Sequence, residues 1–230
     1  MPRSRTKATC HLCEKTYSAS GMSRHLRACL PDHLETLQKS SSGKPNDVFY
    51  LVVQGYGFFE DYWLHLAVTA QTTLHELDRF LRETWLECCG HLSMFEIDGI
   101  RFDSYPFELS DADMNHHLGD VLEADTTFQY EYDFGTTSEL DLRVADVFAL
   151  AAPKQKIQVL GRNESPELTC QQCGKAQATQ ICAICLYEGN GLFCERCTEK
   201  HNCGEEMWLP VVNSPRTGMC GYEGPAVAEG

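Results

Sequence analysis

The sequence predicts an α+β protein. A mixed β-sheet with one main helix packed on it forms the body, and each terminus carries a small module too poor in apolar residues to fold unaided. Three observations lead there. Of 13 cysteines in 230 residues, eleven fall near the two ends, mostly as pairs two residues apart. In the middle, strand-like alternation gives way once to a helical period and then returns. Charge divides the chain at the same borders: residues 1–45 carry 8 Lys+Arg and 3 Asp+Glu, residues 46–162 carry 7 and 21, and residues 163–230 carry 4 and 9. The expected organisation is therefore a module at 1–30, a flexible linker at 31–46, a central domain at 47–162, a cysteine-rich module at 163–221 and a tail at 222–230.

No apolar run approaches the ~20 residues needed to cross a bilayer. The opening "MPRSRTKATC" has basic residues with no apolar stretch behind them, so it does not read as a secretion signal. A cytoplasmic protein without membrane contact is expected. Lasting disulfides are rare in that reducing setting, which leaves metal binding to explain the thiols.

The first module reads "CHLCEKTYSASGMSRHLRAC". Cys10-x2-Cys13 presents two thiolates from a tight turn. Eleven residues on, His25 and Cys29 share one helix face (i, i+4) and close a tetrahedron. Tyr17 and Met22 are the sizeable apolar side chains between the ligand pairs, so the ion must supply the stability, about 10–16 kcal/mol in zinc-finger peptides. The pattern resembles the His–Cys variant of two-Cys, two-His fingers. Arg3, Arg5, Lys7, Arg24 and Arg27 form a basic set suited to phosphate backbones. After it, "SSSGKP" marks the linker.

In the central domain "VFYLVVQG" is a buried strand, and "YWLHLAV" is a second that places Leu64, Leu66 and Val68 on one face. Leu74, Leu77, Leu81, Trp85 and Cys88 then recur at helical spacing behind a Thr73/Glu76 capping box, with Gly90 as the stop. Cys88 and Cys89 are thus expected to finish a packed helix. "MFEIDGIRF" is a hairpin with Asp98-Gly99 at its tip, and "HHLGDVL" makes a short helix. "FQYEYDFG" alternates, putting Phe128, Tyr130, Tyr132 and Phe134 on one face, and "ELDLRV" closes a second hairpin. This order predicts a β-grasp-like sheet.

"TTLHELDRFL", "HLSMFEIDG" and "YEYDFG" resemble the plasmid pRiA4b ORF-3-like family, which includes passenger proteins of insertion elements. The likeness spans Val48 to Leu160 and implies a fold and a mobile-element context. Many members follow the last motif with an acidic residue, a Trp and a His. Here Thr136, Thr137, Ser138 and Glu139 stand instead, so no active residue carries over.

No phosphate-cradling loop, Gly-x-Ser-x-Gly elbow or His-Glu-x-x-His is present. Glu108, Asp111, Asp113, Asp120, Glu123, Asp125, Glu131 and Asp133, beside His116 and His117, are read as a solvated acidic face. His65, His75 and His91 are read as single core or surface residues. No enzyme is expected, and no catalytic residue is named.

The last module holds Cys170-x2-Cys173, Cys182-x2-Cys185, Cys194-x2-Cys197, His201, Cys203 and Cys220. Three such pairs followed by His point to two closed structural zinc sites. Interleaved and sequential wirings both fit the spacing. A similarity to B-box-type fingers implies the interleaved one: Cys170, Cys173, Cys194 and Cys197 on one ion, and Cys182, Cys185, His201 and either Cys203 or Cys220 on the other. The resemblance leans to Cys203, although "GMCGY" around Cys220 looks like a metal knuckle. Three Zn2+ are thus expected in the whole chain. The first functional expectation is a non-catalytic, zinc-stabilised binding or adaptor protein with a protein partner. The alternative is a nucleic-acid-associated factor linked to a mobile element, gripping phosphates through the basic finger. An enzyme built on the acidic centre ranks last.

Overall fold

The run "VFYLVV", Val48–Val53, has no polar residue to offer a solvated face, and the fold answers by covering the strand on both sides. The computed structural model describes residues 6–40, 46–106, 112–150 and 155–225. A small hairpin, β1 (Lys7–Thr9) and β2 (Thr16–Ser18), leads into a long helix, α1 (Ala19–Ser40). The central domain follows as β3 (Asn46–Gly55), β4 (Trp63–Thr69), α2 (Leu74–Leu81), β5 (Ser93–Ile97), β6 (Ile100–Asp103), β7 (Ala112–Asp113), α3 (Leu118–Val121), β8 (Thr127–Tyr132), β9 (Ser138–Leu150) and β10 (Ile157–Arg162). The C-terminal part contributes β11 (Gln180–Cys182), α4 (Ala183–Leu186), β12 (Leu192–Phe193), α5 (Glu195–Thr198) and β13 (Trp208–Pro210).

Eight strands form one mixed sheet in the order β10-β4-β3-β9-β8-β5-β6-β7; only β6 and β7 pair in parallel. The expected α+β class is what forms, with α2 on one face. Its capping box is complete: the Glu76 N–H donates to the Thr73 hydroxyl, and the Glu76 carboxylate accepts from the Thr73 N–H. Leu74, Leu77, Leu81 and Trp85 meet Phe49, Leu51, Leu64, Leu66, Tyr130 and Leu142 there, all buried. Phe128, Tyr130 and Tyr132 share that face as the alternation predicts. Phe134 does not: Asp133 takes a left-handed φ of 66°, the strand ends, and Phe134 is exposed.

The opposite face is where expectation and structure part. Residues 31–40 of the anticipated linker continue α1, through Pro31, as helix. Met22, Leu26, Leu30 and Leu34 lie fully buried along α1, against Val48, Tyr50, Trp63, Ala67, Ala145 and Leu160 of the sheet. Backbone bonds fasten the same module to the sheet edge, His11 N–H to Leu160 O at 2.8 Å and Glu164 N–H to Lys7 O at 2.7 Å. The first module is therefore part of the main body. Pattern reading misjudged it because Leu30 and Leu34 fall beyond the last ligand, where no motif draws attention to them.

Candidate metal centres

In the N-terminal module, the turn between β1 and β2 carries Cys10 and Cys13, and consecutive turns of α1 present His25 and Cys29. Cys13 Sγ lies 3.2 Å from His25 Nε2, and Tyr17 stacks on the imidazole at 4.2 Å between centroids. The Lys15 backbone amide holds the Cys13 thiol below its ordinary value. Burial and the neighbouring Cys10 and Cys13 sulfurs push Cys29 up to about 12.

The C-terminal module is wired in the interleaved way. Cys170, Cys173, Cys194 and Cys197 form one group; Cys182, Cys185, His201 and Cys203 form the other. The β11–β12 pairing produces the crossing, because it sets the segment leading to the second Cys pair beside the segment leading to the third. In the second group His201 Nε2 lies 3.3 Å from Cys182 Sγ and 3.4 Å from Cys185 Sγ, and Cys185 and Cys203 sulfurs are 3.7 Å apart. Burial opposes ionisation of Cys170 and Cys182, but backbone N–H groups aimed at their sulfurs outweigh it and bring them down to about 6 and about 7. Burial, with the neighbouring sulfurs of each group, pushes Cys185 and Cys197 up to about 12. Each group thus sets a thiol held low beside one held high by burial and neighbouring sulfurs, and a divalent cation would favour the thiolate form of both.

Cys220 joins neither group. It meets Cys88, Cys89 and His91 in a fourth cluster that spacing did not reveal. The α2 helix does not run to Gly90 as expected. After Leu81 it widens into a single π turn, Arg82–Leu86, and Glu87 is already extended, so Cys88 and Cys89 sit in a loop. His91 Nε2 lies 2.8 Å from Cys89 Sγ and 3.3 Å from Cys220 Sγ; Cys89 Sγ is 3.6 Å from Cys88 Sγ and 3.7 Å from Cys220 Sγ. Gly90 N–H donates to Glu87 Oε1 at 2.6 Å, and that carboxylate also accepts from the Tyr132 hydroxyl.

Cys220 is delivered by a docked segment, 212–222. Its Arg216 side chain is fully buried. One guanidinium nitrogen donates to Asp133 Oδ2 at 2.5 Å and to Cys88 Sγ at 3.5 Å; the other donates to Thr136 O at 2.6 Å and Ser138 Oγ at 3.1 Å. The turn that follows "YEYDFG" is thus filled by an arginine. Burial would raise the Cys88 thiol, but Arg216 and the Tyr132 hydroxyl bring it below the ordinary value. Ser214 donates to Trp85 O at 2.6 Å, and Asn213 and Asn163 exchange amide hydrogen bonds. Gly218, at φ 80°, lies so close to Ile181 and Leu186 that a Cβ would come within 2.9 Å of both. Tyr222, assigned from sequence to the tail, is buried. The "SPRTG" segment gave no sequence signal beyond the adjoining "GMCGY".

The donor sets fit zinc. Tetrahedral Zn–S and Zn–N bonds place sulfurs about 3.8 Å apart and S···N about 3.5 Å apart, and in all four groups the donor atoms lie within 4.8 Å of one another. All 13 cysteines are free thiols. Against the three ions expected, the described residues offer four possible sites. Each group offers four protein donors, the number a tetrahedral zinc takes.

The acidic residues do not assemble this way. Glu108 and Asp111 lie outside the described residues, Asp113 bonds to Asn115, and Asp120, Glu123 and Asp125 are exposed. Asp133 is committed to Arg216. His65 is buried with Tyr50 OH at 2.7 Å, His75 is exposed, and His91 belongs to the fourth cluster rather than standing alone. A groove of about 850 Å³ crosses the sheet face beside the start of α1, lined by Trp63, His65, Phe128, Glu96, Asp141 and Arg143 among others. Glu96 pairs with Gln129 and Gln129 with Asp141, so these carboxylates are two strands, about 10 Å, apart. Of the basic set, Lys7, Arg24 and Arg27 are exposed, while Arg3 and Arg5 lie outside the described residues.

The family model described as plasmid pRiA4b ORF-3-like protein matches residues 53–182, and that of the BED zinc finger matches residues 1–35. The BED match and the Cys/His groups support zinc binding. No curated protein matches the chain. Among solved structures, a protein of unknown function from Methanosarcina mazei Go1 is similar at 17% identity and a TM-score of 0.42, over 50% of this chain and 67% of that one.

Proposed function

The chain belongs to the plasmid pRiA4b ORF-3-like family, and we propose that it is a zinc-stabilised, non-catalytic binding protein whose terminal ions are structural. One observation carries the reading: every terminal donor group is complete, with four protein ligands and no coordination position left for a substrate. The groove offers a place for a partner, since it brings polar groups of both signs, Glu96, Asp141 and Arg143 among them, to one open stretch of the sheet face beside α1. Zinc X-ray absorption tests the structural role. Sulfur and nitrogen neighbours alone are expected, and a zinc–oxygen shell from water would overturn it.

A second reading is favoured by the exposed Lys7, Arg24 and Arg27 on the BED-like module, in a family whose name ties it to a plasmid. There the finger grips phosphates while the acidic body, net −14 over the chain, limits non-specific contact. Deleting the finger is an unsuitable test, because it would uncover the sheet face beneath α1. Anisotropy with labelled duplex DNA at low and high salt, on the parent and on K7Q/R24Q/R27Q, separates the two. Salt-sensitive binding lost in the triple variant establishes the nucleic-acid role. An absence of binding at low salt, with a protein partner cross-linked at the groove, supports the first.

A further inference from the structure

We propose that Cys88, Cys89, His91 and Cys220 form a fourth zinc site, which staples the C-terminal segment to the central sheet. It adds to the three terminal sites and does not depend on the adaptor reading. The argument starts from the donors. Three thiols and one imidazole, converging from two segments 129 residues apart in sequence, are a soft, tetrahedral set suited to zinc. A disulfide would not account for the imidazole. Sulfur pairs stand 3.6 and 3.7 Å apart, yet His91 Nε2 is closer to two of those sulfurs than they are to each other.

Each half of the site is held by groups that are not donors. Glu87 and Tyr132 fix the 87–91 loop through hydrogen bonds to Gly90 N–H and, at 3.4 Å, to the amides of Cys88 and His91. Ser214, Arg216 and the close seat of Gly218 fix the other half and aim Cys220 at the loop. Asp133 Oδ2 also comes within 3.5 Å of His91 Nε2, but its bond to Arg216 keeps it as a neighbour of the site. The ordering cost is therefore met by the fold, leaving the ion to lock two surfaces already in register. Two of its donors, Cys89 and Cys220, are open to solvent, against one, Cys173, in the terminal groups.

The test is a zinc count on full-length protein purified without added metal, by elemental analysis and native mass spectrometry, with thiol alkylation under native conditions. Four zinc ions per chain are expected, with Cys88, Cys89 and Cys220 unreactive until a chelator is added. Cys220→Ser is expected to bind three, and residues 212–222 should then exchange amide hydrogens faster. Three ions in the parent with these thiols freely alkylated would overturn the fourth site while leaving the terminal sites standing. A Cys88–Cys89 or Cys89–Cys220 disulfide in the native protein would overturn it too, as would four ions retained in Cys220→Ser. A count of zero would remove the terminal sites as well.

Discussion

The two terminal modules use the same ligands but are held in different ways. The N-terminal finger has four donors and also a helix whose four buried apolar residues are shared with the sheet. Residues 163–210 have two donor groups and few large buried apolar side chains, chiefly Ile181 and Phe193. The finger thus has two independent anchors and the C-terminal module one. The largest expected effect follows. Chelation removes the order of about 10–16 kcal/mol per site in isolated peptides. Hydrogen exchange after metal removal should show residues 170–203 losing protection while the Leu30–Leu37 stretch of α1 keeps it. Loss of both in one transition would mean that the finger, too, depends on its ion alone.

The next effect probes what joins the C-terminal part to the sheet. Arg216 is a fully buried cation whose partner Asp133 is almost as deeply buried. Arg216→Met strands that carboxylate, at a cost of about 3–5 kcal/mol. Urea unfolding measures it, and a change below about 1 kcal/mol would show that the docked segment contributes little.

The finger's second anchor can be weakened without touching a ligand. Leu30→Ala opens a cavity between α1 and the sheet and should cost about 2–5 kcal/mol while the zinc count stays at the parent value. Joint loss of zinc and stability would show that helix docking and metal binding are one event.

How far the sequence revealed this follows the range of each signal. Local signals were legible: the Thr73 capping box, the Asp98-Gly99 tip, the Phe128–Tyr132 alternation and every Cys-x2-Cys pair. The interleaved wiring was legible only through a resemblance, because spacing alone admits two solutions. What escaped is long-range. Cys88 and Cys89 fit a helical period, and nothing local announces the π turn that expels them into a loop. Cys220 has its partners 129 and more residues away. Arg216 looks like a surface residue until the fold supplies Asp133. The linker was misread because a Ser-rich stretch marks where a helix stops without saying how far back it began.

The smallest effect concerns the face shared by finger and sheet. His65, 1% exposed, is held neutral: burial, followed by the Arg143 charge, lowers its pKa to about 3. In the unfolded chain an imidazole titrates near ~6.5. Above that pH neither state is protonated and His65 contributes no slope. As pH falls below it the unfolded state takes up a proton that the folded state refuses, so stability drops by about 1.4 kcal/mol per pH unit toward pH 3. Acid also releases zinc, but that loss is common to the parent and a His65→Gln variant and cancels in their difference. Denaturant unfolding of both between pH 7.5 and about pH 5.5, the span below which ligand protonation takes over, should show the parent losing stability more steeply. Parallel curves would mean that His65 takes a proton within the fold, and that the face under α1 admits water where the finger is held to seal it.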